Sequence, residues 1–217
     1  HCHVFTSESV SEGHPDKVAD QISDAILDAC LKADKNAHVA CETMVGPDIV
    51  VNMGEITCRD FENLNVGAIA RRVVKKIGYD DPAEGFSWDD FLYLSKLHGQ
   101  SPDINQGVSR KTKEKQGAGD QGMMFGYATN ETKSYMPAAI VYSHELLKMF
   151  AKLRKGGKFP WLRPDAKSQL SIVYENGKPV RIDTVVISHQ TTEEGATKAN
   201  YAEIERLAKD CLAKTKL

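Results

Sequence analysis

The chain has 217 residues, 41% hydrophobic and 27% charged, with 28 Lys and Arg against 30 Asp and Glu for a formal net charge of −2. That balance excludes bulk attraction to nucleic acid or an anionic membrane, so steering of a charged ligand falls to local groups. The length suits one large domain or two small ones, and the absence of both a signal-peptide pattern and an apolar run near the ~20 residues that cross a bilayer predicts a cytoplasmic location.

From Pro15 to about Ala33, the residues Val18, Ile22, Ala25, Ile26, Ala29 and Cys30 recur at helical spacing, and Pro15 suits the first helical position. The β-rich runs 38–45 and 49–56, separated by Gly46-Pro47-Asp48, predict a hairpin. A second helix follows with Val66, Ile69, Ala70, Val73 and Ile77 on one face, Asp60 as its cap and Gly78 as its end. From 86 to 136 periodicity fades while Gly, Asn, Asp, Gln and Ser accumulate, which marks a functional loop region. Pro137 opens a third helix that stops at Gly156-Gly157; strands at 169–174 and 180–188 follow, joined through Asn176-Gly177. A last helix carries Ile204, Leu207, Ala208, Cys211 and Leu212 on one face. Helix, hairpin, helix occurs twice. The pattern predicts an α+β fold of repeated helix–β-hairpin–helix units, each a small mixed sheet covered on one face by helices. The cysteines (Cys2, Cys30, Cys41, Cys58, Cys211) form no C-x-x-C pair and read as reduced, mostly buried small hydrophobes.

Several segments carry groups suited to chemistry. Ser11-Glu12-Gly13-His14-Pro15-Asp16-Lys17 stands at a helix start, where free N–H groups, the helix dipole, His14 and Lys17 attract phosphate and Asp16 can hold Mg²⁺; the alternative is a simple N-terminal cap. Glu42 and Glu55 interrupt apolar strands. If Val45 pairs with Ile49, Glu42 shares a face with Ala40 and Met44, and Glu55 lies opposite with Val39, Cys41 and Thr43, so the two have separate tasks rather than forming an acid/base pair. Gly117-Ala118-Gly119-Asp120-Gln121-Gly122 matches G-x-G-x-x-G but follows a charged run instead of an apolar strand, so it does not read as a dinucleotide site. Upstream, Arg110, Lys111, Lys113 and Lys115 face only Glu114 between Gly107 and Gly117, a basic loop that is either solvated or a lid over a polyanion. Pro164 fixes the backbone near Asp165 and Lys167, an acceptor and a cation just before a strand. The sum is a Mg²⁺-dependent site for a phosphate-rich substrate without an evident nucleophile.

Together Phe5 to Lys17, Ala40-Cys41-Glu42-Thr43, Gly54-Glu55-Ile56-Thr57, Gln100 to Val108, Gln116 to Gly122, Phe125 to Glu131 and Arg163 to Gln169 resemble the S-adenosylmethionine synthases, or methionine adenosyltransferases. The resemblance implies attack of the methionine sulfur on C5′ of ATP, departure of the triphosphate and its cleavage to pyrophosphate and phosphate. It implies ATP contacts at His14, Asp165, Ala166 and Lys167, with His14 and Lys167 catalytic. It also implies Mg²⁺ at Asp16, K⁺ at Glu42, methionine at Glu55, Gln100 and Asp120, and a gating loop after Gln100. A homodimer, or a dimer of dimers, with the site between subunits is likewise implied, as is a division into an N-terminal domain (1–105), a loop and glycine-rich segment (106–122) and a central domain (123–217), without the family's C-terminal domain. A truncated, non-catalytic subunit that binds ATP or pairs with a full-length enzyme is the competing expectation.

Overall fold

The computed structural model describes residues 2–82, 85–99, 117, 121–215 and 217. Gln100, Asp120 and the basic run 110–115 lie outside them. In chain order the elements are β1 (Cys2–Val10), α1 (Pro15–Ala33), β2 (His38–Gly46), β3 (Ile49–Thr57), α2 (Val66–Ile77), β4 (Leu92–His98), α3 (Ala138–Lys155), β5 (Leu162–Glu175), β6 (Lys178–Thr191) and α4 (Lys198–Leu212). The fold is α+β. The chain forms two compact units, Val18–Gly126 and His1–Lys17 with Tyr127–Leu217, so the amino-terminal strand belongs with the second half of the sequence and not with the segment that follows it.

In the Val18–Gly126 unit the sheet order is β2-β3-β4, with β2 antiparallel and β4 parallel to β3. Val18, Ile22 and Ile26 of α1, Ile69, Val74 and Ile77 of α2, and Phe91 are buried against Val50 and Ile56 of β3. Each such side chain contributes roughly 1.5–3 kcal/mol by leaving water. The start of α2 is capped by Asn65, whose side chain accepts from the Ala68 N–H at 2.9 Å, and not by Asp60, which precedes a short 3-10 turn. Gly78 ends the helix with φ 112, as expected of a left-handed C-cap.

The hairpin register differs from the Val45–Ile49 pairing read from sequence. Gly46 stays in the ladder opposite Ile49, Val45 pairs with Val50, and the turn is the two residues Pro47 and Asp48, the latter at φ 53. A one-residue slip exchanges the faces of one strand relative to its partner. Ala40 is therefore opposite Glu55 and Glu42 opposite Met53, which puts both glutamates on one face.

The other unit has the order β1-β5-β6, antiparallel throughout, so it is not the mixed sheet expected of both units. α3 and α4 cover one face, where Ala138, Leu146, Ala208 and Leu212 pack with Leu170, Ile172 and Tyr174. Asn176 and Gly177, both at positive φ, close the β5–β6 hairpin. β5 begins at Leu162, so Asp165, Ala166 and Lys167 are strand residues, not residues ahead of one.

Candidate functional site

β1 runs antiparallel to β5 to a last pair, Val10 with Lys167, and the chain then turns toward α1. At this point β5 is irregular on its other side: its register with β6 jumps between the Leu162–Thr191 and Ala166–His189 pairs, a bulge over residues 163–165. Bulges re-aim side chains beside sites of chemistry. Ser11 bridges the gap from the β1 side. Its hydroxyl donates to the Pro164 carbonyl at 2.7 Å and accepts from the Ala166 N–H at 2.8 Å, while its own N–H donates to the Ala166 carbonyl at 2.8 Å.

The next three residues are fixed as well. Glu12 receives Arg154 at 2.8 Å and Lys155 at 2.7 Å from the end of α3. Gly13 is seated against Pro164, whose backbone and Cβ a side chain there would strike. The His14 N–H donates to the Ser11 carbonyl at 3.1 Å, and His14 Nδ1 accepts from the Asp16 N–H at 3.2 Å. An imidazole nitrogen that accepts carries no proton, so the neutral ring bears its hydrogen on Nε2 and presents a donor there. Asp16 Oδ2 lies 3.8 Å from the same Nδ1, an approach that is not an ion pair in this tautomer. One first-turn N–H is thus taken by His14 and one is missing at Pro15, so the helix start offers fewer free donors than the sequence suggested.

The Asp16 side chain is 88% exposed, and among the described residues no group of three or more His, Cys, Asp and Glu gathers into a cage. α3 adds the positive charge of Lys148. His144 and Lys148 stand near Lys17, and burial, then the charges of Lys148 and Lys17, hold His144 below the ordinary histidine value. Its Nδ1 lies 2.6 Å from the buried Ser9 hydroxyl. On β5, Asp165 Oδ1 is buried without a hydrogen-bond partner among the described residues. Such an acceptor costs roughly 1–3 kcal/mol unless a ligand or water donates to it. Lys167 is exposed, and Ala166, buried, separates the two polar side chains.

The structure thus brings the His14 turn together with Asp165, Ala166 and Lys167 inside one unit. Glu42 and Glu55 belong to the other unit, on the sheet face that turns away from α1 and α2, where Met44, Met53, Leu92 and Leu94 are 53%, 43%, 57% and 44% exposed. His144 and Lys148 carried no signal in the sequence, being isolated polar residues in a helix, and Ser9 was visible only within the Phe5 to Lys17 motif. Ser11 was visible only as part of a motif.

Residues 2–102 match the family model described as S-adenosylmethionine synthetase, N-terminal domain, and residues 115–216 match that of the central domain. The chain belongs to the S-adenosylmethionine synthetase family. The boundary between the two family models falls near residues 103–114, whereas spatially β1 completes the sheet of the S-adenosylmethionine synthetase central domain.

Proposed function

We propose that the chain carries the ATP side of a methionine adenosyltransferase: the methionine sulfur attacks C5′ of ATP, the triphosphate leaves whole, and water then cleaves it to pyrophosphate and phosphate. What carries the reading is the tie between two phosphate-suited segments, the His14 turn and the bulged Asp165–Lys167 strand, through Ser11. A thioether sulfur has no proton to lose, so the first step needs no general base. It needs alignment and positive charge around the departing triphosphate.

In this reading His14 donates from Nε2 to ATP near the breaking bond, and the Lys167 ammonium neutralises leaving charge. Asp165 accepts a hydrogen from the bound nucleotide, and the Ala166 backbone contacts it. Mg²⁺ held at Asp16 and K⁺ held at Glu42 supply further positive charge when bound. Glu55, Gln100 and Asp120 hold methionine, and the basic segment after Gln100 is the gating loop. The enzyme is cytoplasmic. A homodimer, singly or as a pair of dimers, is supported by the exposed apolar side chains of Met44, Met53, Leu92 and Leu94 on the sheet face that carries Glu42 and Glu55. Neither nucleic acid nor membrane is a partner.

The test supplies ATP, methionine, Mg²⁺ and K⁺ to the complete gene product and measures S-adenosylmethionine together with phosphate. Both products are expected. ATP binding with neither product would leave a non-catalytic subunit as the better account.

A further inference from the structure

The bulge at residues 163–165 leaves β5 without its regular β6 register where Asp165 must be held. A strand released on one side, with a proline that cannot donate to a ladder, drifts unless something else holds it. Ser11 supplies that hold: it lies one residue past the last β1–β5 pair, is 6% exposed, and uses its side chain to span a carbonyl and an N–H that a further strand residue would otherwise serve. Its backbone N–H adds a third bond to the same stretch. Gly13 then closes on Pro164, and Glu12 fixes the outside of the turn to Arg154, whose side chain is 10% exposed.

We propose that Ser11 is a positioning residue for adenosyl transfer: through Pro164 and Ala166 it pins the bulge of β5 to the His14 turn, so that Asp165 and Lys167 meet ATP in one fixed relation to His14. The assignment rests on the reaction proposed above, but it concerns a residue that contacts the strand and not the substrate. A displacement of ~1 Å in such a frame costs ~10²-fold in rate. Serine suits the place because its hydroxyl both donates and accepts within one short side chain.

The experiment compares Ser11→Ala with Ser143→Ala in the complete gene product. Ser143 is a buried serine of the same unit whose hydroxyl donates to the Ser7 carbonyl at 3.2 Å and not to the bulge; the bond it receives from the Ser168 hydroxyl goes to its main-chain carbonyl, which the substitution leaves in place. Ser11→Ala is expected to lower kcat or raise the ATP KM by ~10- to 100-fold, with the methionine KM within about twofold of wild type, and to speed hydrogen exchange at the Ala166 amide in the absence of ATP. Ser143→Ala lowers Tm but leaves both ATP constants within about twofold. If Ser11→Ala does not fold, the near-isosteric Ser11→Cys, a weak donor, is judged by the same criteria. Active wild type with unchanged ATP constants in the Ser11 variant overturns the assignment alone. Wild type that forms no S-adenosylmethionine overturns the reaction, and with it the assignment.

Discussion

The Tyr174 hydroxyl donates to Glu131 Oε2 across 2.6 Å, and the same oxygen accepts from the Ala138 N–H at 2.9 Å, the first residue of α3. A carboxylate seven residues upstream therefore caps the helix that backs the candidate site. Burial raises the pKa of Glu131, but the Ala138 N–H and the Tyr174 and Thr129 hydroxyls together outweigh it and hold the carboxyl below its ordinary 4.5. A depressed folded-state pKa stabilises above the unfolded value and loses that stability as pH falls through the folded one. Wild-type Tm should thus fall as pH drops below about 4.5, and Glu131→Gln should flatten that acid limb while lowering Tm at pH 7. Parallel acid limbs in the two proteins would remove Glu131 as the group responsible.

In the other unit Asn52 is fully buried, donates to Thr43 Oγ1 at 2.7 Å and accepts from the Tyr93 hydroxyl at 2.8 Å; Thr43 in turn lies 2.7 Å from the Ser23 hydroxyl of α1. One polar chain crosses from α1 through β2 and β3 to β4. Asn52→Ala removes one partner from each of two half-buried hydroxyls and opens a cavity at a fully buried position, for an expected loss of about 2–4 kcal/mol. Urea unfolding followed by circular dichroism measures it, and a loss under 1 kcal/mol would show that water replaces the amide.

The helices and hairpins were legible because each rests on a local rule: the 3.6-residue recurrence of Val18, Ile22 and Ile26, the left-handed Gly78, the Asn176-Gly177 turn. β1 and β4 were not, since neither is an isolated apolar alternation. His3, Thr6 and Glu8 take their strand conformation from pairing with β5, more than 160 residues away in sequence. The face shared by Glu42 and Glu55 was lost through a single turn residue, because Asp48, and not Gly46, takes the bend. The motifs named His14, Asp165 and Lys167 without revealing how they are joined; the joint is a buried hydroxyl, which leaves no periodic trace.

Lys167 offers the most direct check of the proposed chemistry. It is exposed at the end of the β1–β5 ladder, so removing its charge disturbs little packing. Lys167→Ala should reduce kcat by ~10²–10³ with a Tm within about 2 °C of wild type, the cost of one preorganised cation at a departing triphosphate. Unchanged turnover would take Lys167 out of the mechanism.

Gly54, beside Glu55, is the last point at which sequence, fold and site meet. Its φ is +128, in the region that favours glycine, and a Cβ there would strike the Ala40 carbonyl oxygen. The close approach lets β3 stay paired with β2 where Ala40 faces Glu55, and so fixes the separation of Glu55 from Glu42 on the open sheet face. Gly54→Ala adds backbone strain and overpacking against an oxygen that cannot retreat without breaking the ladder, a loss of at least about 2 kcal/mol. Gly99→Ala, where a Cβ meets nothing within 4 Å among the described residues, is the control and should stay within about 0.5 kcal/mol of wild type. Denaturant midpoints of the two variants decide the point. If both match wild type, the hairpin accommodates a side chain at Gly54 and the spacing of Glu42 and Glu55 is not set there; if Gly54→Ala alone is destabilised, its methionine KM should also rise, because Glu55 moves with the strand.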